Sequence, residues 1–227
     1  MKARKFNYNT KKYDFYNIFS ELYNTDDLHN LHLKLNESYK VEDGLNGLGK
    51  DTDSEFHMLF YDKVRSGWQE FNFLYQSFIK EQIIPKISDE VNIFQTFPSY
   101  RIQYPHSKAI TTVHCDSDEN HKHPNGEINI LVPITTMYDT SAVWAESEPG
   151  CGDFKPMNCV YGEYYIWNGN KCLHYNKSNV TENTRISMDF RVLPNKFYNN
   201  QYSKFSATSK KKFIIGDYYS KIGEQNV

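Results

Sequence analysis

Thr184-Arg-Ile-Ser-Met-Asp-Phe-Arg-Val192 is the stretch on which the fold depends, because apolar and polar side chains alternate along it. Successive side chains of a β-strand point to opposite faces. One face would carry Ile186, Met188, Phe190 and Val192, and the other would carry Arg185, Ser187, Asp189 and Arg191. Charged groups need water or a polar pocket. The stretch therefore predicts a strand with one face against a core and one face toward water or a polar pocket.

Short β-type runs occur throughout the chain after Pro85, separated by turn residues and without helices between them. The predicted strands are 91–97, 99–104, 109–115, 127–134, 162–167 and 184–192. Strands at this spacing are typical of an antiparallel sandwich or barrel.

The first 90 residues have the 3–4 apolar spacing of amphipathic helices. We expect two short helices within 15–35, and the longest helix from a cap at Ser54 to about Ile84. The glycine-rich segment 43–49 lacks the Lys-Ser/Thr ending of a phosphate-binding loop and is interpreted as an ordinary loop. The predicted class is mainly β with N-terminal helices (α+β): a helical first third packed on a jelly roll.

A length of 227 residues suits one domain over 1–227. Its predicted parts are a helical region (1–90), a β core (91–194) and a C-terminal extension (195–227). Within the extension, 201–212 is polar and reads as an exposed loop, whereas 213–219 is apolar enough to dock on the body.

The composition argues against several classes of partner. Lys and Arg total 26 against 28 Asp and Glu, so no global positive field favours nucleic acid or an acidic membrane surface. No apolar run reaches the length of a membrane span, and we expect a cytoplasmic protein. The four cysteines include no Cys-x-x-Cys pair and are expected to be thiols.

Three side chains form a candidate metal-ligand set: His114 and Asp116 in a His-x-Asp tripeptide, and His174 after a predicted strand. On a strand, His114 and Asp116 would point to the same side while Cys115 points away. Two imidazoles and one carboxylate can hold Fe(II) on one face and leave the other positions open. Arg185 and Ser187 follow on one strand face, where they could clamp the far end of a dicarboxylate whose near end is bound to the iron.

Other polar groups near these residues leave alternatives open. His121 and His123 form a second pair, but their segment reads as a loop over the mouth of the site. A zinc site with Cys115 and Cys172 is not favoured, because structural zinc sites usually have closely spaced ligand pairs. Side chains that could line the pocket are Arg101, Gln103, Asn129, Trp144, Glu146 and Trp167.

In these motifs the chain resembles the Fe(II)/2-oxoglutarate-dependent oxygenases, in particular the phytanoyl-CoA-hydroxylase-related branch and oxygenases of the streptomycin-biosynthesis type. The resemblance covers about 100–194. It rests on the metal set and on further matching residues: Trp144-Ala-Glu-Ser147, Gly152-Asp153, Pro156, Gly162, His174-Tyr-Asn176, Asn179 and Thr184-Arg-Ile-Ser-Met-Asp-Phe-Arg191.

The resemblance implies a double-stranded β-helix in which His114, Asp116 and His174 ligate iron. Arg185 would pair with the distal carboxylate of 2-oxoglutarate, and Ser187 would assist. Independently of the resemblance, Asn129 is a candidate for cofactor binding because it lies on a strand flanking the ligand pair and could point inward. Arg191 could replace Arg185, although a structural pair with Asp189 or Glu146, or a contact with substrate, fits its spacing better.

The expected activity is oxidation, by default hydroxylation, of a C–H bond in a small polar molecule, with Fe(II) as cofactor and 2-oxoglutarate and O2 as co-substrates. A sugar or aminosugar unit is the leading substrate class, and an amino acid or protein side chain is the alternative. A non-catalytic jelly-roll module that binds carbohydrate or metal is the competing reading. It has no need for Arg185 and Ser187.

Overall fold

The computed structural model describes residues 1–35, 54–107 and 112–223, so the glycine-rich segment 43–49 lies outside the described residues. Helices occupy the N-terminal part, as the apolar spacing predicts. They are α1 (Phe15–Tyr23), a 3-10 helix (Leu28–Lys34), α2 (Glu55–Arg65), α3 (Gln69–Phe78), a π-helical turn (Ile79–Ile83) and a 3-10 turn (Ile84–Lys86).

The single long helix expected from Ser54 to Ile84 is wrong, because the chain breaks it between α2 and α3. Ser54 does cap α2, since its hydroxyl accepts a hydrogen bond from the His57 backbone N–H at 3.2 Å. The break follows Arg65, and Gly67 adopts a left-handed conformation with φ of 86°. Glycine has no Cβ to oppose this conformation, which no residue can adopt inside a right-handed helix.

Within the described residues, ten strands form two antiparallel sheets: β1 (Arg4–Asn7), β2 (Val91–Gln95), β3 (Ser99–Gln103), β4 (Ile128–Pro133), β5 (Val143–Ala145), β6 (Lys155–Pro156), β7 (Glu163–Trp167), β8 (His174–Asn176), β9 (Arg185–Pro194) and β10 (Tyr219–Lys221). The larger sheet has the order β1-β7-β4-β9-β2-β10, and β3 also pairs with β9. The smaller sheet has the order β6-β5-β8.

Strand β9 lies at the centre of the larger sheet and has the two faces that its sequence predicts. Ile186, Met188, Phe190 and Val192 belong to the main hydrophobic core, which also contains the buried faces of the helices. Tyr75 of α3 contacts Phe190 with ring centroids 5.0 Å apart. The polar side chains occupy the opposite face, where Arg185, Ser187 and Arg191 are also buried. That face therefore meets a polar interior and not bulk water.

The strand expected at 109–115 is wrong for its described part. Residues 109–111 lie outside the described residues, and from 112 onward His114 forms only an isolated antiparallel bridge with His174. Asp116 lies in a turn.

Both chain ends contribute strands to the larger sheet. Strand β1 pairs with β7, which the sequence did not indicate. At the other end, β10 pairs with β2, and Phe213, Tyr218 and Tyr219 are buried, which agrees with the predicted docking of 213–219. No helix in the described ranges combines the length and apolar character needed to cross a bilayer.

Candidate metal centre

His114, Asp116 and His174 lie together, with His174 on β8 of the smaller sheet and Asp116 bound by side chains from β4 and β9 of the larger sheet. The His114 and His174 Nε2 atoms are 4.0 Å and 3.7 Å from the same Asp116 oxygen, Oδ1. Reciprocal backbone hydrogen bonds of 3.1 Å and 2.8 Å hold the two histidines side by side. The Asp116 backbone N–H donates to the Gly169 carbonyl at 3.0 Å. Backbone pairing thus brings two distant segments together and gathers one oxygen and two nitrogens around a common point.

Both histidines present Nε2 toward that point because Nδ1 is engaged elsewhere. His114 Nδ1 lies 2.8 Å from the Thr112 carbonyl oxygen, and His174 Nδ1 lies 3.0 Å from the Cys172 carbonyl oxygen. A carbonyl oxygen can only accept, so each Nδ1 carries a hydrogen, and in the neutral imidazole with this tautomer Nε2 has the lone pair. Burial, followed by the nearby His174, lowers the pKa of His114 to about 4. His114 is therefore a neutral imidazole at neutral pH, the form that binds metals.

The two oxygens of Asp116 have different surroundings. Oδ1 faces the histidines, whereas Oδ2 accepts hydrogen bonds from Asn129 Nδ2 at 2.7 Å and from Arg191 Nε and Nη2 at 3.1 Å and 2.9 Å. Burial opposes the charge of Asp116, but the Arg191 guanidinium, the nearby His123 and His174 and the hydrogen bond from Asn129 together outweigh burial and hold the pKa of the carboxyl well below its usual range. The candidate ligand is thus an anion with one oxygen engaged by the protein.

Arg185 and Ser187 occupy the same buried face of β9, farther along the strand. Arg185 is 4% exposed and Ser187 is fully buried. Arg185 Nη1 donates to Ser187 Oγ at 3.0 Å, and Nη2 lies 3.4 Å from Gln103 Oε1. A guanidinium and a hydroxyl therefore stand side by side in the interior, in the arrangement expected of a carboxylate clamp.

The remaining predicted site residues divide into near and far groups. Gln103 and Arg101 of β3 are paired in register with Arg185 and Ser187 of β9. Trp167 packs its ring against His174 in an edge-to-face contact, with centroids 4.9 Å apart. Asn129 Nδ2 donates to Asp116 Oδ2 at 2.7 Å, and its predicted contact with 2-oxoglutarate remains a prediction. Arg191 has the structural pair with Asp189 considered from the sequence, at 3.1 Å, and in addition the pair with Asp116.

Trp144 points away from the three candidate ligands, whereas Glu146 contacts Leu173, the residue before His174. Trp144 pairs with Tyr175 in the smaller sheet, whereas Ala145 pairs with His174, so the Trp144 side chain projects from the opposite face of that sheet. The Lys177 ammonium lies over its ring, 3.2 Å from the centroid. The Glu146 carboxylate accepts backbone N–H groups of Gly150, Gly152 and Leu173 at 3.0, 3.0 and 2.7 Å. These contacts stabilise both side chains, and the substrate roles expected for them remain predictions.

The loop between Asp116 and β4, which contains the His121 and His123 pair considered from the sequence, places both histidines next to candidate ligands. The His121 ring stacks on the His114 ring at 4.2 Å, and Asp118 Oδ1 lies 2.9 Å from His121 Nδ1. His123 is buried and its Nδ1 lies 2.7 Å from Glu127 Oε2. Tyr219 of β10 donates to the other oxygen of Glu127. The His-x-His pattern drew attention to this loop, but no sequence signal links Glu127 to Tyr219.

Gly169 fits where the site leaves no room for a side chain. A Cβ at this position would come within 2.7 Å of Asn129 Nδ2 and 2.8 Å of the Trp167 ring. The Gly169 carbonyl is also the acceptor for the Asp116 backbone N–H. Position 169 therefore requires glycine, because the Asn129 and Trp167 side chains lie too close to its Cα for any side chain to fit.

Comparison with known proteins identifies one close curated relative. No family profile matches the sequence. The chain is 30% identical over 172 residues to the streptomycin biosynthesis protein StrG of Streptomyces griseus, and the match covers 76% of this chain and 78% of that protein.

Solved structures overlap the chain at lower similarity. AviO1 from Streptomyces viridochromogenes Tue57 is 10% identical with a TM-score of 0.43, covering 87% of this chain and 92% of that one. CytC3, solved with Fe(II) and α-ketoglutarate, is 12% identical with a TM-score of 0.39, covering 60% and 66%. SnoK, a non-heme α-ketoglutarate-dependent carbocyclase from nogalamycin biosynthesis, is 8% identical with a TM-score of 0.37, covering 44% and 50%. The chain thus spans about half the length of SnoK.

Proposed function

The chain belongs to the family of the streptomycin biosynthesis protein StrG, and we propose that it is an Fe(II)- and 2-oxoglutarate-dependent oxygenase acting on a small polar metabolite. The observation that carries the proposal is the convergence of His114 Nε2, His174 Nε2 and Asp116 Oδ1, beside a strand face that ends in Arg185 and Ser187. We further propose that the two sheets form the double-stranded β-helix of such oxygenases and that 1–227 acts as one domain.

The donor set fits a divalent iron. Two neutral imidazoles and one carboxylate are the protein ligands of the facial triad in non-heme Fe(II) oxygenases, in which the remaining positions stay open. Each histidine is oriented through its Nδ1 hydrogen, and Asp116 through its Oδ2. Such outer hydrogen bonds are the usual supports of ligands in metal sites. In this proposal His114, Asp116 and His174 hold the iron.

The polar face of β9 fits the co-substrate. Arg185 is a buried cation with Ser187 Oγ at 3.0 Å, and a carboxylate placed between them would accept charge-assisted hydrogen bonds from both. Gln103 holds the guanidinium from the neighbouring strand at 3.4 Å. We assign Arg185 and Ser187 to the distal carboxylate of 2-oxoglutarate. Asn129 acts through Asp116.

Held by His114, Asp116 and His174, the iron would supply the chemistry that couples oxidative decarboxylation of 2-oxoglutarate by O2, with release of succinate and CO2, to transfer of the second oxygen atom to a substrate C–H bond. The residues of this chain would bind and orient the iron and the co-substrate, and would exclude water from the site. Trp167, 3% exposed, packs edge-to-face against His174 and shields that ring from water, and the clamp would fix one end of the co-substrate. A sugar or aminosugar unit is the proposed substrate class, because the related protein is named for streptomycin biosynthesis.

The decisive experiment is anaerobic addition of Fe(II) and 2-oxoglutarate to the purified protein. We expect a visible metal-to-ligand charge-transfer band that is absent from the His174→Ala variant, and 2-oxoglutarate-dependent succinate formation once O2 is admitted. Candidate sugars and aminosugars are then screened for stimulated succinate release. Wild-type protein that is folded yet gives neither the band nor succinate would exclude the oxygenase assignment.

The same assay separates an enzyme from a jelly-roll module that only binds metal or carbohydrate. Such a module would bind metal through the three ligands and ignore 2-oxoglutarate. Replacing Arg185 by Ala would then leave its spectrum unchanged. In an oxygenase the variant should keep the metal and lose the band at 2-oxoglutarate concentrations that saturate the wild type.

A further inference from the structure

We propose that Arg191 is a positioning residue that restricts Asp116 to binding the metal through one oxygen, an inference that rests on the proposed iron site. Arg191 takes no part in the substrate pocket in this view. It acts through Asp116, whose Oδ2 it occupies from the side opposite the two histidines.

The geometry around Oδ2 is the first support for this role. Arg191 directs both Nε and Nη2 at this single oxygen, at 3.1 Å and 2.9 Å, and Asn129 Nδ2 adds a third donor at 2.7 Å. A fork that grips one oxygen leaves the other, Oδ1, turned toward the histidine nitrogens. Rotation of the carboxylate would break all three hydrogen bonds inside a buried site, at a cost that charged donors make large.

The location of Asp116 explains why such a grip is needed. Asp116 lies in a turn between the bridge residue His114 and a loop, so no strand ladder fixes its side chain. Arg191, in contrast, is on the central strand β9, opposite Asn129 of β4 in register. Arg191 and Asn129 are fixed by the larger sheet, and their hydrogen bonds hold the Asp116 side chain, which lies outside that sheet, in one orientation.

Arg191 is itself held on several sides. Its Nη2 lies 3.1 Å from Asp189 Oδ2, and its Nη1 contacts Gln95 Oε1 at 3.4 Å and Ser99 Oγ at 3.3 Å. These partners come from β9, β2 and the start of β3. A guanidinium fixed at three points can orient a carboxylate, whereas a flexible surface arginine could not.

One-oxygen binding matters for the chemistry that the site is proposed to support. Two histidines and a single carboxylate oxygen fill three positions of an octahedral metal and leave three for 2-oxoglutarate and O2. If both oxygens of Asp116 were bound, a fourth position would be filled and O2 or the co-substrate would lose its place. Arg191 thereby keeps one coordination position open.

The test compares Co(II) binding to the whole protein, measured anaerobically by titration, for the wild type, Arg191→Gln, Arg191→Lys and Arg185→Gln. The guanidinium charge alone repels a dication, so removing only that charge would tighten binding. Loss of positioning weakens it, and outer hydrogen-bonding partners typically change affinity by about 10–100-fold. We expect a loss within that range for both Arg191 variants.

Arg185→Gln is the matched control, since it removes another buried arginine from the same strand without touching Asp116. Its Co(II) affinity should stay within about threefold of the wild type, because its contacts are to Ser187 and Gln103. Circular dichroism and the melting temperature of each apo variant separate misfolding from weakened binding. If Arg191→Gln is too unstable to purify, Arg191→Lys and Asn129→Leu also change or remove hydrogen-bond donors to Asp116 Oδ2 and can be tested in its place.

The outcomes are distinct. A folded Arg191→Gln protein that binds Co(II) with the same affinity and the same visible d–d spectrum as the wild type would overturn the positioning role, because neither the strength nor the number of bonds from Asp116 would then depend on Arg191. An effect confined to substrate-stimulated turnover, with unchanged Co(II) affinity, would likewise overturn it and favour a substrate contact. Wild-type protein that binds no Co(II) would contradict the proposed metal site itself.

Discussion

Two buried arginines, Arg185 and Arg191, lie on the same face of β9 and have different partners. Arg191 grips Asp116, whereas Arg185 contacts Ser187 and Gln103. Six residues of strand separate their Cα atoms by about 20 Å. Replacing Arg191 should therefore affect metal binding, whereas replacing Arg185 should affect 2-oxoglutarate binding.

Replacing Arg185 by Lys keeps the positive charge but removes the planar fork. We expect a KM for 2-oxoglutarate roughly 10–100-fold higher, since a charge-assisted hydrogen bond contributes about 1.5–3 kcal/mol. The measurement is succinate formation against 2-oxoglutarate concentration at saturating Fe(II). Ser187→Ala should raise KM in the same direction by a smaller factor, and an unchanged KM in both variants would remove them from the co-substrate site.

Glu146 gives a residue-level prediction that depends on pH. Burial disfavours its charge, but backbone N–H groups of Leu173, Gly152 and Gly150 outweigh burial and lower the pKa of Glu146 below its ordinary value of 4.5. A depressed folded-state pKa adds stability that is fully present above the unfolded pKa and is lost as pH falls through the folded value.

Glu146→Gln should therefore destabilise the protein by about 1–3 kcal/mol at pH 7, because an amide NH2 cannot accept from those backbone donors. The difference from the wild type should shrink as pH falls below about 4.5. Urea unfolding at a series of pH values measures it. A difference that stays constant down to pH 3 would show that the charge of Glu146 is not its source.

At the level of elements, the junction between α2 and α3 depends on the backbone of Gly67. Its φ is 86°, and a Cβ would meet no atom within 4 Å. Gly67→Ala should therefore cost about 1 kcal/mol from backbone strain alone, as left-handed geometry disfavours a Cβ. Gly67→Asn is the matched control and should cost less, because Asn tolerates this conformation. Equal losses in thermal unfolding would point to a cause other than backbone strain.

Elements with a strong local pattern were predictable from the sequence. Strand β9 follows from alternation over 184–192, and α1 and α2 follow from their apolar spacing and from the cap at Ser54. The break at Gly67 was not predicted, because apolar spacing continues across it from Val64 to Phe71. Strands β5, β6 and β8 have two or three residues, too few for a period to be recognised.

The candidate metal ligands could be predicted from the sequence, but the hydrogen bonds that orient them could not. His114, Asp116 and His174 stand out as a spaced set, yet strand alternation is not what aligns them, since Asp116 lies in a turn. The grip of Arg191 on Asp116 joins residues 75 positions apart. Nothing local in either segment signals such a contact, because tertiary packing alone creates it.

At the level of the whole molecule, aromatic side chains join the helices to the larger sheet. Tyr100 of β3 stacks on Phe60 of α2 and Phe19 of α1, with ring centroids 4.2 Å and 5.0 Å apart. The Tyr23 hydroxyl donates to the Tyr100 hydroxyl at 2.8 Å. The abundance of aromatics in this chain thus serves packing between layers.

Phe60→Ala should destabilise the protein by about 3–5 kcal/mol, because the ring is fully buried and its removal leaves a cavity. Metal affinity per folded molecule should not change, since the ring packs on the face of the sheet opposite the site. Phe73→Ala is the control: this ring is 76% exposed and its loss should change stability by no more than about 0.5 kcal/mol. Similar melting temperatures for the two variants would contradict this account of the core.

The absence of a side chain at Gly169 has a consequence for how this chain can diversify. Even a methyl group there would collide with the Asn129 amide and the Trp167 ring, and so disturb two neighbours of the candidate ligands at once. In a saturation library screened for Co(II) retention, we expect only glycine to survive at position 169, whereas the exposed and unobstructed Gly150 should accept Asn. Lineages that abandon glycine at 169 would have to rebuild the centre or give it up.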